Sequence, residues 1–192
     1  MTGANAALVL AGLMVSDAPR AEFEEAFRPF APLIGSWDLD VSWYDDEGRV
    51  TRETRGEWHF AWALDGRAVA DIWITPSRAA RATDGDGEWG LTIRLHDPEL
   101  GAFRSTWMGP KHAVVMTFIG HSGPDSITLE AREPKSAKTR WIFTEITPDS
   151  FQWRNEDEDA DGTIIVRQRF VARRSGTQEA GEDLGGGTAI GG

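Results

Sequence analysis

The chain of 192 residues contains no cysteine. That excludes disulfides, thiolate catalysis and Cys-ligated zinc, and it fits the cytoplasm, the compartment expected for this chain. Basic residues are also in short supply. Lys and Arg number 20 against 31 Asp and Glu, giving a net charge of −11, and they are scattered rather than clustered. A binder of phosphate backbones needs a basic face, so neither nucleic acid nor an anionic membrane is an expected partner. The apolar run "AALVLAGLMV", residues 6–15, is too short to span a bilayer. A secretory signal opens on a positive segment, whereas the first basic residue here is Arg20. The run is read as a short docking helix or a frayed start. Phosphate-cradling glycine loops, a G-x-S-x-G elbow and a Ser-His-Asp constellation are missing as well.

What the chain does have is tryptophan, nine against a single tyrosine. In "APLIGSWDLDVSWYDDEGRV", Trp37, Leu39, Val41 and Trp43 alternate with polar residues, the period of a half-buried strand. Short runs of this kind recur at 36–44, 50–64, 67–75, 88–96, 102–109, 112–120, 125–132, 138–146, 151–156 and 163–173, separated by turn signals such as "DDEG", "DPELG" and "HSGPD". Ten short antiparallel strands joined by tight turns indicate a sandwich or a closed meander barrel. Ahead of them, "AEFEEAFRPFAPLIG" places Phe23, Phe27 and Phe30 on one face of a short helix that Pro29 and Pro32 limit. The expected organisation is an N-terminal, partly helical segment over 1–30, a barrel over 31–173 and a flexible Gly-rich tail over 174–192.

Turn chemistry predicts which residues share a face. "LDGR" is an Asp-Gly hairpin loop, the strongest short-range hairpin signal. It pairs Trp62 with Val69, Phe60 with Asp71, and Trp58 with Trp73, so Trp58, Phe60, Trp62, Val69, Asp71 and Trp73 project to one side. A four-residue "DDEG" loop would set Trp37 over Gly56 on that same side. So many large rings either fill a core or line a cavity.

These features carry a resemblance. Gly35-x-Trp37 after a short helix, leading into a strand meander, resembles the start of calycin-type barrels: lipocalins, fatty-acid-binding proteins and nitrobindin-like proteins. The strings "GEWHFAWALDGRAVADIW" and "RWIFTEITPDSFQWRNE", with a closing strand ending "VARR", resemble uncharacterised bacterial calycin-like proteins over roughly residues 27–173. The resemblance implies an all-β, antiparallel, calycin-like barrel with a central cavity for a small, largely apolar ligand. It implies no particular reaction, because folds of this kind host carriers and enzymes alike.

Among the candidate chemical groups, Asp71 stands out as a carboxylate amid aromatic rings. It must be ion-paired, hydrogen-bonded or protonated there. It reads either as a structural partner of an inward arginine, or as an acid/base or ligand anchor. The register puts Arg52 inward beside it, with Arg94, Arg104 and Arg154 as alternatives. A four-residue "TPDS" connection would set Glu145 opposite Gln152 and diagonal to Arg154, sharing a side with Trp141 and Phe143, while Phe151 and Trp153 take the other. Apolar residues on both sides of these strands suggest that the N-terminal helix or a partner subunit, as in a homodimer, covers part of the outer wall.

The four histidines, His59, His96, His112 and His121, form no H-x-H pair or zinc-like cluster, and His59 has the wrong parity for the aromatic face as a haem ligand. "DEDADGTII" matches several EF-hand positions, but position 12 is Gln168 and the flanks are strands; it reads as an acidic hairpin loop. No metal or cofactor is expected. The functional expectation is binding of a small hydrophobic or aromatic molecule by Trp37, Arg52, Trp58, Phe60, Trp62, Trp73, Trp141, Trp153 and Arg154. The alternative is a cofactor-independent cyclase, isomerase or hydratase using Asp71 and Glu145.

Overall fold

The computed structural model describes residues 11, 12, 14–81, 87–132 and 138–176. The apolar run at 6–15 and the Gly-rich tail fall largely outside them. Ten antiparallel strands close into a barrel in sequence order: β1 (Gly35–Tyr44), β2 (Val50–Ala63), β3 (Ala68–Thr75), β4 (Glu88–Asp97), β5 (Ala102–Gly109), β6 (Val114–Ser122), β7 (Ser126–Ala131), β8 (Lys138–Thr144), β9 (Ser150–Glu158) and β10 (Ile164–Arg174). Strand β1 pairs with both β2 and β10, so the sheet has no free edge. All ten predicted strands are present, with ends shifted by a few residues.

A helical run precedes the barrel. Helix α1 (Glu24–Phe27) lies between the 3-10 turns Ala21–Phe23 and Arg28–Leu33. Its apolar face closes one end of the barrel: Phe27, Phe30 and Leu33 have no exposed surface. Phe27 contacts the rings of Trp62 and Phe103, and Phe30 meets Phe103 edge-on at 4.9 Å. The Trp37 indole donates to the Leu33 carbonyl at 2.7 Å. Arg174 at the end of β10 donates to the carbonyls of Pro32 and Ile34 while stacking over Trp37. This plug fixes the direction of the barrel, with a closed end at α1 and an opposite end formed by the β1–β2 and β9–β10 loops.

The Asp-Gly hairpin has the expected pairing, Trp58 with Trp73, Phe60 with Asp71, and Trp62 with Val69. Its turn runs through left-handed backbone at Leu64, Asp65 and Gly66. A Cβ on Gly66 would lie 2.5 Å from the Ala18 carbonyl oxygen, so glycine lets the N-terminal segment cross the turn. The β1–β2 register differs from expectation. Trp37 lies opposite Trp58, and it is Leu39 that lies over Gly56. A five-residue loop closed by Asp45 and Arg49, followed by a bulge near Tyr44, shifts the pairing by two. A shift of two preserves the face, so Trp37 still points inward. The acidic β9–β10 segment is a hairpin turn in which Asp159 and Asp161 accept from Thr163. No cluster of metal-ligating side chains occurs among the described residues, and no described helix is long and apolar enough to cross a membrane.

One carboxylate ties the loop after β3 to the outer wall. Glu57, on the outward side of β2, accepts from the Arg78 backbone N–H, from the Arg78 guanidinium at 2.8–3.1 Å, and interacts with His59 at 3.0 Å. Burial alone would raise its pKa. The hydrogen bonds from Arg78 and His59 outweigh that and hold it at about 2. A depressed carboxylate pKa stabilises the fold above the unfolded value, near 4.5, and that stability is lost as pH falls towards 2. Arg78→Ala should therefore melt below wild type at pH 7, and the two melting curves should converge as pH drops from about 4.5 to 2. A melting-temperature gap independent of pH would contradict this linkage.

Candidate functional site

Alternation along the strands turns eight of the nine tryptophans inward; Trp89, on the outer side of β4, is the exception at 40% exposed. The inward residues form two zones. Next to the plug, Trp37, Phe60, Trp62, Phe103, Phe143 and Phe151 pack as a continuous core. Beyond them lies a cavity lined by Trp58, Asp71, Trp73, Thr92, Trp107, Trp141, Trp153, Gln168 and Phe170. Its volume is about 50 Å³. It reaches the surface past Trp107 and Gln168, which are only half-buried.

Its walls are aromatic stacks. Phe170 lies parallel to Trp153 at 4.3 Å and to Trp73 at 5.8 Å. Trp141 stands roughly perpendicular to both Trp153 and Trp107. Trp107 has its place because two glycines leave room for it: a Cβ on Gly90 or Gly109 would come within 2.3 Å of its indole. The indole N–H groups of Trp73, Trp141 and Trp153, and the Asn155 side-chain oxygen, are buried without a hydrogen-bond partner. Such groups are uncommon in native interiors.

A buried ion pair lies between the two zones. Asp71 sits opposite Phe60 on β2 and Thr92 on β4, and Arg94 is the next inward residue along β4. Arg94 donates to Asp71 Oδ2. The Trp58 indole and the Thr92 hydroxyl donate to Oδ1 at 2.6 and 3.1 Å. The side chains of this pair are 0% and 1% exposed. The Arg94 guanidinium lies 5.5–5.9 Å from the ring centres of Phe30, Phe60 and Phe143, so three π faces surround the charge. Its Nε and Nη2 have no hydrogen-bond partner.

The residues named from sequence divide accordingly. Asp71, Trp58, Trp73, Trp141 and Trp153 line the cavity. Trp37, Phe60 and Trp62 belong to the core beneath the ion pair. Arg52 does not pair with Asp71; it is exposed at the open rim, stacked over Trp43 at 4.4 Å. Glu145 and Arg154 do not pair either. Observed pairing sets Phe143 opposite Trp153 and Ile142 opposite Arg154, one residue away from the predicted register. Glu145 adopts left-handed backbone after β8, and this irregularity in the connection moves the pairing by one. A one-residue slip exchanges the faces. Trp141, Phe143, Phe151 and Trp153 consequently all point inward, while Arg154 lies outside, bonded to Glu156 at 2.7 Å. Glu145 is exposed and accepts from Gln152. Trp107, Thr92, Gln168 and Phe170 were not anticipated. Counting the pairing through the "DPELG" turn, with Asp97 opposite Ala102, would have aligned Trp107 with Thr92; the pairing of Thr92 with Asp71 lies across the β3–β4 connection, which carries no such turn signal. None of the four histidines lines the cavity.

The molecule is thus a closed, plugged, ten-stranded antiparallel β-barrel with a buried aromatic cluster. No protein-family model matches the chain, and no curated protein does. Among solved structures it resembles the crystal structure of Rv2717c from M. tuberculosis, at 16% identity over 78% of this chain and 96% of that one, with a TM-score of 0.53. A redesigned beta barrel, b11L5F_LGL, matches at 14% identity over 78% of this chain and 94% of that one, with a TM-score of 0.37. The first likeness concerns the fold alone.

The ion pair generates a clear expectation. Asp71→Asn leaves the buried Arg94 charge without its counter-ion and should destabilise the fold by about 3–5 kcal/mol. Asp71→Asn combined with Arg94→Met should recover part of that loss, because an apolar replacement removes the stranded charge. Denaturant titrations of wild type, single and double variants measure this; a single variant as stable as wild type would refute it.

Proposed function

We propose that this barrel binds a small, mainly aromatic molecule bearing hydrogen-bond acceptor atoms, in the tryptophan-lined cavity away from the plug. The observation that carries the reading is the cavity wall itself: five indoles and Phe170 around one opening, three of the indoles with unpartnered N–H groups. Apolar walls with a few orienting polar groups are typical of small-molecule sites. Unpaired buried donors favour a ligand that supplies oxygen or nitrogen acceptors. The calycin-like character of the sequence supports the same reading.

Size restricts the ligand further. A water needs at least about 10–15 Å³, so the cavity of about 50 Å³ has room for a few waters. Drug-sized pockets run to several hundred Å³. The ligand is therefore about one ring across, entering end-on as Trp107 and Gln168 turn aside at the rim. A second reading, a cofactor-independent cyclase, isomerase or hydratase, draws on the position of Asp71 in the cavity wall. A carboxylate offers roughly four acceptor directions, and Trp58, Thr92 and Arg94 occupy three of them. That favours Asp71 as a fixed partition and binding as the function.

The test uses 1,4-benzoquinone, a single ring with two carbonyl acceptors, beside p-xylene, a ring of similar shape without them. Benzoquinone should quench tryptophan fluorescence saturably and bind several-fold more tightly than p-xylene, as expected for about one hydrogen bond. Trp153→Phe, which keeps the ring and loses the donor, should narrow that preference. Quenching linear in probe concentration, with no heat of binding in calorimetry, would sink the proposal.

A further inference from the structure

The outer wall of the barrel is divided by charge. On β8, β9, β10 and β1 it is covered by ion pairs: Lys138 and Arg140 with Glu158, Arg140 and Arg154 with Glu156, and Arg173 with Asp40. Across β3 to β6 the pattern changes. Ile72 pairs with Leu91, Leu91 with Met108, and Met108 with Val115, which makes one outward row of four apolar side chains across four strands. The next row, Ala70, Ile93, Thr106 and Thr117, carries no charge either. Trp89 and Leu95 extend the surface along β4. Exposure is substantial: 43% for Ile72, 40% for Trp89, 43% for Leu95, 37% for Met108 and 64% for Val115.

We infer that this face is where a second copy of the chain docks, sheet against sheet about a two-fold axis. Three observations select that occupant. First, the ladder and the row beside it are uncharged in a chain of net charge −11, with Arg81 over Trp89 and Arg104 at their margins; two copies meeting on the ion-paired side would bring charged side chains together, whereas along the ladder nothing repels. An uncharged patch is complementary to itself, as an isologous interface requires. Second, four strands about 4.8 Å apart and some seven residues of about 3.3 Å each give roughly 400 Å² of outer wall. That is in the range of the largest apolar patches on soluble proteins, which often mark interaction sites. A stable interface takes about 800 Å² from each partner, with an apolar centre inside a polar rim. The ladder supplies the centre, and the flanking row with Arg104, held by Asp97 at 2.6 Å, begins the rim. Third, the ladder crosses four hydrogen-bonded strands as one continuous row, so a two-fold axis at its centre sets each copy's apolar side chains against the other's.

The experiment is sedimentation velocity of the full chain across a concentration series, with three variants. Wild type should sediment as a dimer of about 42 kDa, twice 21.2 kDa. Met108→Glu and Val115→Glu place a carboxylate in the centre of the ladder and should shift the protein to monomer, with the far-UV circular dichroism of the barrel retained. Val171→Glu makes the same change on the opposite wall, where Val171 is 40% exposed, and should leave the dimer intact. A wild type that stays monomeric at every concentration, as it would if its own N-terminal segment covered the face, overturns the inference. So does a dimer that survives both ladder substitutions, or one that Val171→Glu disrupts equally.

Discussion

The Asp71–Arg94 pair is the constraint around which the interior of this barrel is arranged. A guanidinium with no exposed surface is strongly disfavoured unless its charge is met at short range. Here it is met by one carboxylate, which two further donors from β2 and β4 hold in orientation. The pair links three adjacent strands through side chains. Through the contact of Arg94 with Phe30 it also links them to the plug. The strands, the helical segment and the partition therefore share one electrostatic centre.

That centre divides the interior into two zones. Beneath it, phenylalanine and tryptophan rings interdigitate with the plug and fill the barrel in the manner of any packed core. Beyond it the rings are no smaller, yet they leave a cavity. Trp107 leans over Gly90 and Gly109 and meets Trp141 edge-on, and the facing strands contribute Gln168 and Asn155 where apolar groups would have completed the packing. A barrel of this strand number encloses more volume than backbone closure alone can fill. The aromatic load reduces the remaining space to a small, shaped opening. On the binding proposed above, selectivity would come from the indole edges and from size, since the one strong charge nearby is already met by its partner.

The outer wall follows a parallel logic. Ion pairs cross-link β8 to β9, β9 to β10 and β10 to β1. Such exposed pairs contribute little stability individually, but they keep that half of the surface hydrated. The apolar ladder across β3 to β6 lacks such protection.

Period-two alternation and turn chemistry were legible in the residues themselves. The ten strands, the inward face of β2 and β3, and the helix bearing Phe27 and Phe30 all rest on local rules, since strand alternation and an Asp-Gly turn hold wherever the segment lies. Asp71 could be placed among aromatic rings for the same reason. Its partner could not be chosen. The turn count put Arg52 inward and left Arg94, Arg104 and Arg154 as alternatives, and the choice depends on where β4 pairs with β3 after a connection whose length sets no register. The same reasoning missed at Glu145, where one left-handed residue reversed the predicted faces. By itself, then, the sequence determined the strand pattern, the wealth of inward tryptophan and the presence of a carboxylate that needed a partner. Only the tertiary structure decided which arginine answers it, which rings pack and which line a cavity, and which wall is left uncharged. Those outcomes depend on barrel closure and interstrand register, which bring together residues far apart along the chain.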